Sequence, residues 1–102
     1  MSSIATSMRA WQVPSLGEPA EVMKLVDLPV PEPVPGQVLV EVWAGALNFA
    51  DVLLTRGHYQ ERPELPFTPG LELCGLVVAV GEGVSPHQVG ERVIGTVTLP
   101  HG

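Results

Sequence analysis

Proline and glycine interrupt this sequence too often for any long helix to form in it. The 102 residues include 11 prolines and 11 glycines, spread between short apolar runs as turns are, not gathered into one low-complexity tract. Proline lacks a backbone N–H and clashes with the preceding helical turn. Glycine loses the most conformational freedom when it is fixed. Short strands joined by turns fit between such breaks. The densest break is "PVPEPVPGQ", Pro29 to Gln37. Its alternating prolines impose extended backbone that cannot join a central ladder. A Pro-Gly turn ends it and an apolar run follows at once, so it reads as a stiff connector.

The apolar runs predict strands over Met8–Val13, Val22–Leu28, Val38–Leu47, Leu71–Gly81 and Glu91–Leu99. In the third, Val38, Val40 and Val42 share a face. In the fourth, Gly75 marks a bulge or a close backbone approach. One segment changes period. In "NFADVLLTRG" the residues Phe49, Val52, Leu53 and Arg56 recur at helical spacing, and the apolar ones among them are expected to fill the core. Asn48 suits the N-cap, Asp51 stands three residues on as in a capping box, and Gly57 is a natural stop. This predicts one short helix of two turns. The segment "PSLGEPA" reads as a turn.

The stretch "VAVGEGVSPHQVG", Val78 to Gly90, starts as a dinucleotide-binding loop does. Such a loop needs a strand, the glycine turn and a helix whose N-terminus faces the pyrophosphate. Here Pro86 takes the position of the third small residue, and the residues that follow lead directly into another strand. A ribose-binding acid about 20 residues further on would fall near Pro100 and His101, where there is none. The stretch is therefore expected to be a tight turn between strands.

Other chemistries find little support. The net charge is −6, with no basic patch for nucleic acid or an anionic membrane. His58, His87 and His101 are scattered over loops and Cys74 is the only cysteine, so no metal site is expected. A lone cysteine within an apolar strand reads as a small hydrophobe, and a reducing compartment suits the chain. Residues 1–8 lack the features of a secretory or transit leader and are expected to be disordered, ahead of one domain over 9–102. The cytoplasm is the expected location. The chain is 45% hydrophobic, with mean hydropathy +0.28. That is rather apolar for a chain whose length permits only a modest core.

One region is more specific. From Gly45 to Val84 the chain carries Asn48 and Asp51 as N-x-x-D, then Gly57 and Tyr59 as G-x-Y. A proline loop follows, then Pro69, Gly70, Glu72, Gly75 and Val77 as P-G-x-E-x-x-G-x-V, and finally "VGEGV". This pattern resembles the N-terminal, GroES-like catalytic domain of the medium-chain dehydrogenase/reductase superfamily, in its zinc-free quinone oxidoreductase branch. "VPGQVLVEV" and "VGERVIG" match the flanking strands, so the resemblance extends over nearly the whole chain from Arg9. It implies a mainly β fold: a partly open β-barrel with one short helix, incomplete without the C-terminal part of the family chain.

The resemblance also implies a chemistry. Zinc alcohol dehydrogenases of the superfamily have Cys where this chain has Asn48, and Gly-His-Glu where it has Gly70-Leu71-Glu72. Two zinc ligands are thus replaced by residues that bind the metal poorly or not at all. The implied reaction is hydride transfer from NADPH to a quinone or an activated alkene, with the cofactor held mainly by a domain absent from this chain. Asn48, Asp51 and Tyr59 would be catalytic. Asn48, Phe49 and Tyr59 would contact the cofactor, and Leu53, Leu71 and Glu72 would line the acceptor. Full-length members are expected to be homodimers. The isolated chain is expected to be inactive. The alternatives are an enoyl or alkene reductase lobe of the same superfamily, or a truncated, non-catalytic binding module. Independently of the resemblance, Asn48 and Asp51 are open to a purely helix-capping role, and Glu72 to a structural one.

Overall fold

The strands form where the apolar runs fall between proline and glycine, and they arrange into two separate sheets. The computed structural model describes residues 4–96. Its elements are β1 (Ser7–Gln12), α1 (Pro19–Val22), β2 (Lys24–Pro29), β3 (Val38–Ala46), α2 (Phe49–Arg56), β4 (Glu72–Val80) and β5 (Arg92–Thr96). β1 and β2 make an antiparallel pair with Met8 opposite Leu28 and Ala10 opposite Val26. β3, β4 and β5 make a second antiparallel sheet in that order. The fold is mainly β, and neither sheet closes into a barrel.

Three details depart from expectation. β1 begins at Ser7 and so includes the last two residues of the segment expected to be a disordered leader. The segment expected to be a turn ends in α1, a single helical turn that runs on to Val22, so the second strand starts at Lys24 and not at the predicted Val22. Pro19 is preset for the first helical position there, but one turn is too short to leave a periodic signal. The last predicted strand is observed to Thr96; Val97 to Leu99 and His101 lie outside the described residues.

The third departure concerns α2. Its buried residues are Asp51, Leu54 and Thr55, not the face of Phe49, Val52 and Leu53. Phe49 is 69% exposed, and Val52 and Leu53 are half-buried. The physical reason is that the buried face is partly polar and internally satisfied. Thr55 Oγ1 donates to the Asp51 carbonyl at 2.9 Å, and the Asp51 carboxylate accepts two backbone N–H groups. A polar group that is fully bonded can be buried at little cost, so helical spacing of apolar residues alone points to the wrong side.

The core is small. Val13, Leu54 and Phe67 form one buried cluster, against which Val22, Met23, Tyr59 and Leu71 pack. A bridge from Val13 to Phe67, with N–H to O distances of 2.7 and 3.2 Å, ties the end of β1 to the proline loop. The N–H of Gly17 donates to Thr55 O at 2.9 Å, and Arg56 pairs with Glu18 at 2.9 Å, so α2 is clasped to the segment around α1.

The glycines of the larger sheet are placed by contact. A Cβ on Gly75 would lie 2.0 Å from the Glu41 carbonyl oxygen across the β3–β4 ladder. That register shifts between Val42 and Ala44, leaving Trp43 as an extra residue. The expected close approach and the bulge therefore occur together. The "VGEGV" stretch is a turn between β4 and β5. Its Gly81 donates to Gln37 O at 2.7 Å, and a Cβ there would be 2.1 Å from Val34 O. Both contacts serve packing against the Pro35–Gly36 turn, as a strand-to-strand connection requires.

Replacing Gly75 with alanine should lower stability by roughly 3 kcal/mol, because the partner is backbone that cannot step aside. Gly95 is in the same sheet, with nothing within 4 Å of an added Cβ, and its replacement should change stability by less than about 0.5 kcal/mol. Urea unfolding of the two variants checks the contrast.

Candidate functional site

Asn48, Asp51, Gly70 and Glu72 of the sequence motif meet at one end of the larger sheet. β3 ends at Ala46, which pairs with Glu72, the first residue of β4. Two residues beyond Ala46, Asn48 caps α2 in extended backbone, with φ −126° and ψ 166°. The fold thereby brings residues 24 positions apart into contact: Asn48 Nδ2 donates to Glu72 Oε2 at 2.9 Å.

Asp51 holds this corner from beneath. Asn48 and Asp51 stand in the capping-box arrangement expected of their spacing: the Asn48 backbone N–H donates to Asp51 Oδ2 at 2.8 Å, while the Asn48 side chain makes no cap hydrogen bond. The other oxygen, Oδ1, accepts the N–H of Gly70 at 2.8 Å. Gly70 has φ +116°, a region that side chains rarely adopt. Asp51 is 5% exposed, so its negative charge is nearly shielded from water. It is compensated by two N–H donors and by the positive end of the helix dipole. One buried carboxylate thus joins the end of β3, the start of α2 and the turn into β4.

Above this corner the surface is apolar. Leu47 is 74% exposed and Phe49 69% exposed, one on each side of Asn48 in sequence. On β3, Val42 and Trp43 are also exposed, and Trp43 Nε1 donates to Glu41 Oε1 at 3.2 Å. Beside Glu72 is a shallow open depression lined by Leu73, Ile94, Gly95 and Thr96. The arrangement offers an amide held in one orientation among flat or branched apolar side chains, which suits a planar ligand with one or two polar atoms.

The predicted residues divide into three groups. Asn48, Phe49 and Glu72 are exposed at the corner. Leu53 is half-buried on α2, whereas Tyr59 and Leu71 are half-buried against the core cluster. Asp51 lies under the surface with both oxygens engaged by backbone. Sequence reasoning missed Leu47 and Trp43, which it treated as strand residues with no further part. Their signal was local: bulky apolar residues directly beside an N-cap and at a bulge. No group of three or more histidine, cysteine or acidic side chains is placed to hold a metal ion among the described residues. Asn48 turns its amide to Glu72, and Leu71 packs on the core.

Comparison with known proteins identifies the family of the chain. The family model described as the alcohol dehydrogenase GroES-like domain matches residues 34–101. The chain is 46% identical over 96 residues to a quinone oxidoreductase of Lama guanicoe, covering 93% of this chain and 29% of that protein. The structure of Escherichia coli quinone oxidoreductase complexed with NADPH matches with TM-score 0.83 and 31% identity, over 91% of this chain and 28% of that one. A thermostable alcohol dehydrogenase from Pyrobaculum aerophilum, with cobalt and zinc bound, matches with TM-score 0.77 and 34% identity, over 86% and 26%. The chain spans less than a third of the length of each.

Removing the carboxylate should release the corner. Asp51→Ala should cost about 3 kcal/mol, since two N–H groups lose a charged acceptor. Hydrogen exchange should accelerate most at the amides of Asn48 and Gly70, and much less at Val13. Nuclear magnetic resonance of the purified variant resolves these sites.

Proposed function

Because the chain belongs to the alcohol dehydrogenase GroES-like domain family of the medium-chain dehydrogenase/reductase superfamily, with quinone oxidoreductases among its relatives, we propose that it is the acceptor-side lobe of a zinc-independent, NADPH-dependent reductase. The acceptor is a quinone or an activated alkene. The observation that carries this reading is the Asn48 amide, held by Glu72 and flanked by exposed Leu47 and Phe49. A planar ring settles against the apolar side chains while the amide meets one of its polar atoms.

NADPH, when bound, supplies the hydride. The lobe's own residues orient and shield. Phe49 offers a flat wall to the nicotinamide side, and Tyr59 adds a second ring with a hydroxyl. Leu53 and Leu71 keep the acceptor side apolar, which disfavours water near the reacting carbon. Asp51, buried and doubly bonded, acts by positioning Asn48 and touches neither ligand. Zinc independence rests on the donor set at this corner: an amide already bonded to a carboxylate and a leucine side chain with no donor atom are poor metal ligands. In this reading most cofactor contacts lie outside the 102 residues, the working protein is a cytoplasmic homodimer, and neither nucleic acid nor membrane is a partner.

The test is NADPH consumption with a small quinone, followed optically. The protein isolated from its own cells should turn over, while the 102-residue chain alone should be at least ~100-fold slower, since orientation of cofactor against acceptor supplies much of the rate. Turnover with an enoyl thioester but not with a quinone would move the acceptor to the alkene class. Full turnover by the 102-residue chain would refute the division of labour.

A further inference from the structure

A side-chain amide carries a donor at one end and an acceptor at the other, so the way the Asn48 amide faces decides what it can recognise. We propose that Glu72 is the positioning residue for Asn48, locking its side-chain amide in a single orientation; this rests on the role given to Asn48 under the proposed function. A carboxylate can only accept hydrogen bonds, so the 2.9 Å contact to Glu72 Oε2 must be made by the amide nitrogen. The flipped amide would set oxygen against a carboxylate oxygen and is excluded.

The lock needs the backbone at both ends of the contact to be fixed, and both are. The Asn48 backbone N–H is bonded to Asp51 Oδ2 at 2.8 Å. Glu72 is the first residue of β4, paired with Ala46 on one side and Thr96 on the other. The two carboxylates divide the work: Asp51 fixes where Asn48 stands, and Glu72 fixes which way its side chain points. Glu72 also lines the depression with Leu73, Ile94, Gly95 and Thr96, so the carboxylate that holds the amide borders open space. An asparagine without such a partner rotates freely and presents donor and acceptor equally. With the partner, it discriminates between ligands by the position of their polar atom.

Two measurements test this, and they fail separately. In the 102-residue chain, the Asn48 side-chain NH2 pair should give two well-separated, slowly exchanging resonances. Glu72→Ala should merge them toward the free-asparagine position and speed their exchange with water at least ~10-fold. Glu72→Gln, whose amide oxygen still accepts, should restore most of the separation. The Asn48 backbone amide, held by Asp51, should be unchanged throughout and so reports that the corner still folds. Identical side-chain resonances in the wild type and Glu72→Ala would overturn the lock. In the NADPH-consuming protein, Glu72→Ala and Asn48→Ala should each lower kcat. The double variant should be no slower than Asn48→Ala alone, and Glu72→Gln should recover activity. Additive losses would overturn the positioning role. An inactive wild type with a locked amide would instead refute the proposed function and leave the lock standing.

Discussion

The buried Asp51 carboxylate is the interaction on which the rest of the molecule's arrangement depends. It accepts the N–H of Asn48 and the N–H of Gly70, each at 2.8 Å. With these two bonds it joins the last turn of β3 into α2 to the loop that enters β4. An isolated buried charge is too costly to keep. A carboxylate at a helix N-terminus with two backbone donors is well compensated, and only this placement satisfies both donors. That compensation is why α2 can turn Asp51, Leu54 and Thr55 inward and leave Phe49 outward. The polar anchor sets the rotation of the helix, and the rotation sets which apolar side chain faces solvent.

The same anchor explains how an exposed site can be ordered. Asn48 and Glu72 are both exposed, and exposed polar pairs are usually weak because water competes and both side chains must be immobilised. Here the backbone beneath each partner is already fixed, Asn48 by the cap and Glu72 by strand pairing on both sides. The entropy of ordering is largely met before the side chains touch. Preorganisation of this kind lets a small lobe contribute orientation without a deep pocket of its own.

What the sequence made legible follows from where its signals are local. The N-x-x-D spacing predicted the cap and the box because both are made within one helical turn. Gly57 takes the left-handed position with φ +79° at the end of α2, as a helix stop does. The "VGEGV" turn could be separated from a cofactor loop by the strand that follows it. Failures occurred where distant segments decide. The inward face of α2 depends on Gly70, 19 positions away, so helical spacing of Phe49, Val52 and Leu53 could not reveal it. The pairing of Asn48 with Glu72 depends on the register of β3 against β4, which one sequence does not display. The bulge at Trp43 was half legible: Gly75 marked the close approach, but nothing identified the residue expelled on the opposite strand.

The chain's apolar character takes a different meaning once the core is known. Among the described residues, Val13, Leu54, Phe67 and Val77 are the buried hydrophobic side chains. At ~1.5–3 kcal/mol for each large side chain fully buried, four such residues give modest support against the entropy of ordering. The bridge between Val13 and Phe67, the ladder of the larger sheet and the bonds to Asp51 therefore carry an unusual share of the specificity of this fold. Exposed apolar residues occur along the whole chain, from Ile4 and Trp11 to Val89 and Ile94. Val42, Trp43, Leu47 and Phe49 follow one another along the end of β3 and the start of α2, the same stretch that carries the fixed amide. Single exposed hydrophobes need no explanation, whereas a run beside an ordered polar group is the composition of a recognition surface. Part of the hydrophobic content that looked excessive for a small domain thus lies in the stretch that leads into Asp51, and the rest is spread over both sheets and the loops. The constraint that shapes the fold therefore orders one polar pair, Asn48 with Glu72, between two exposed apolar neighbours in sequence, Leu47 and Phe49.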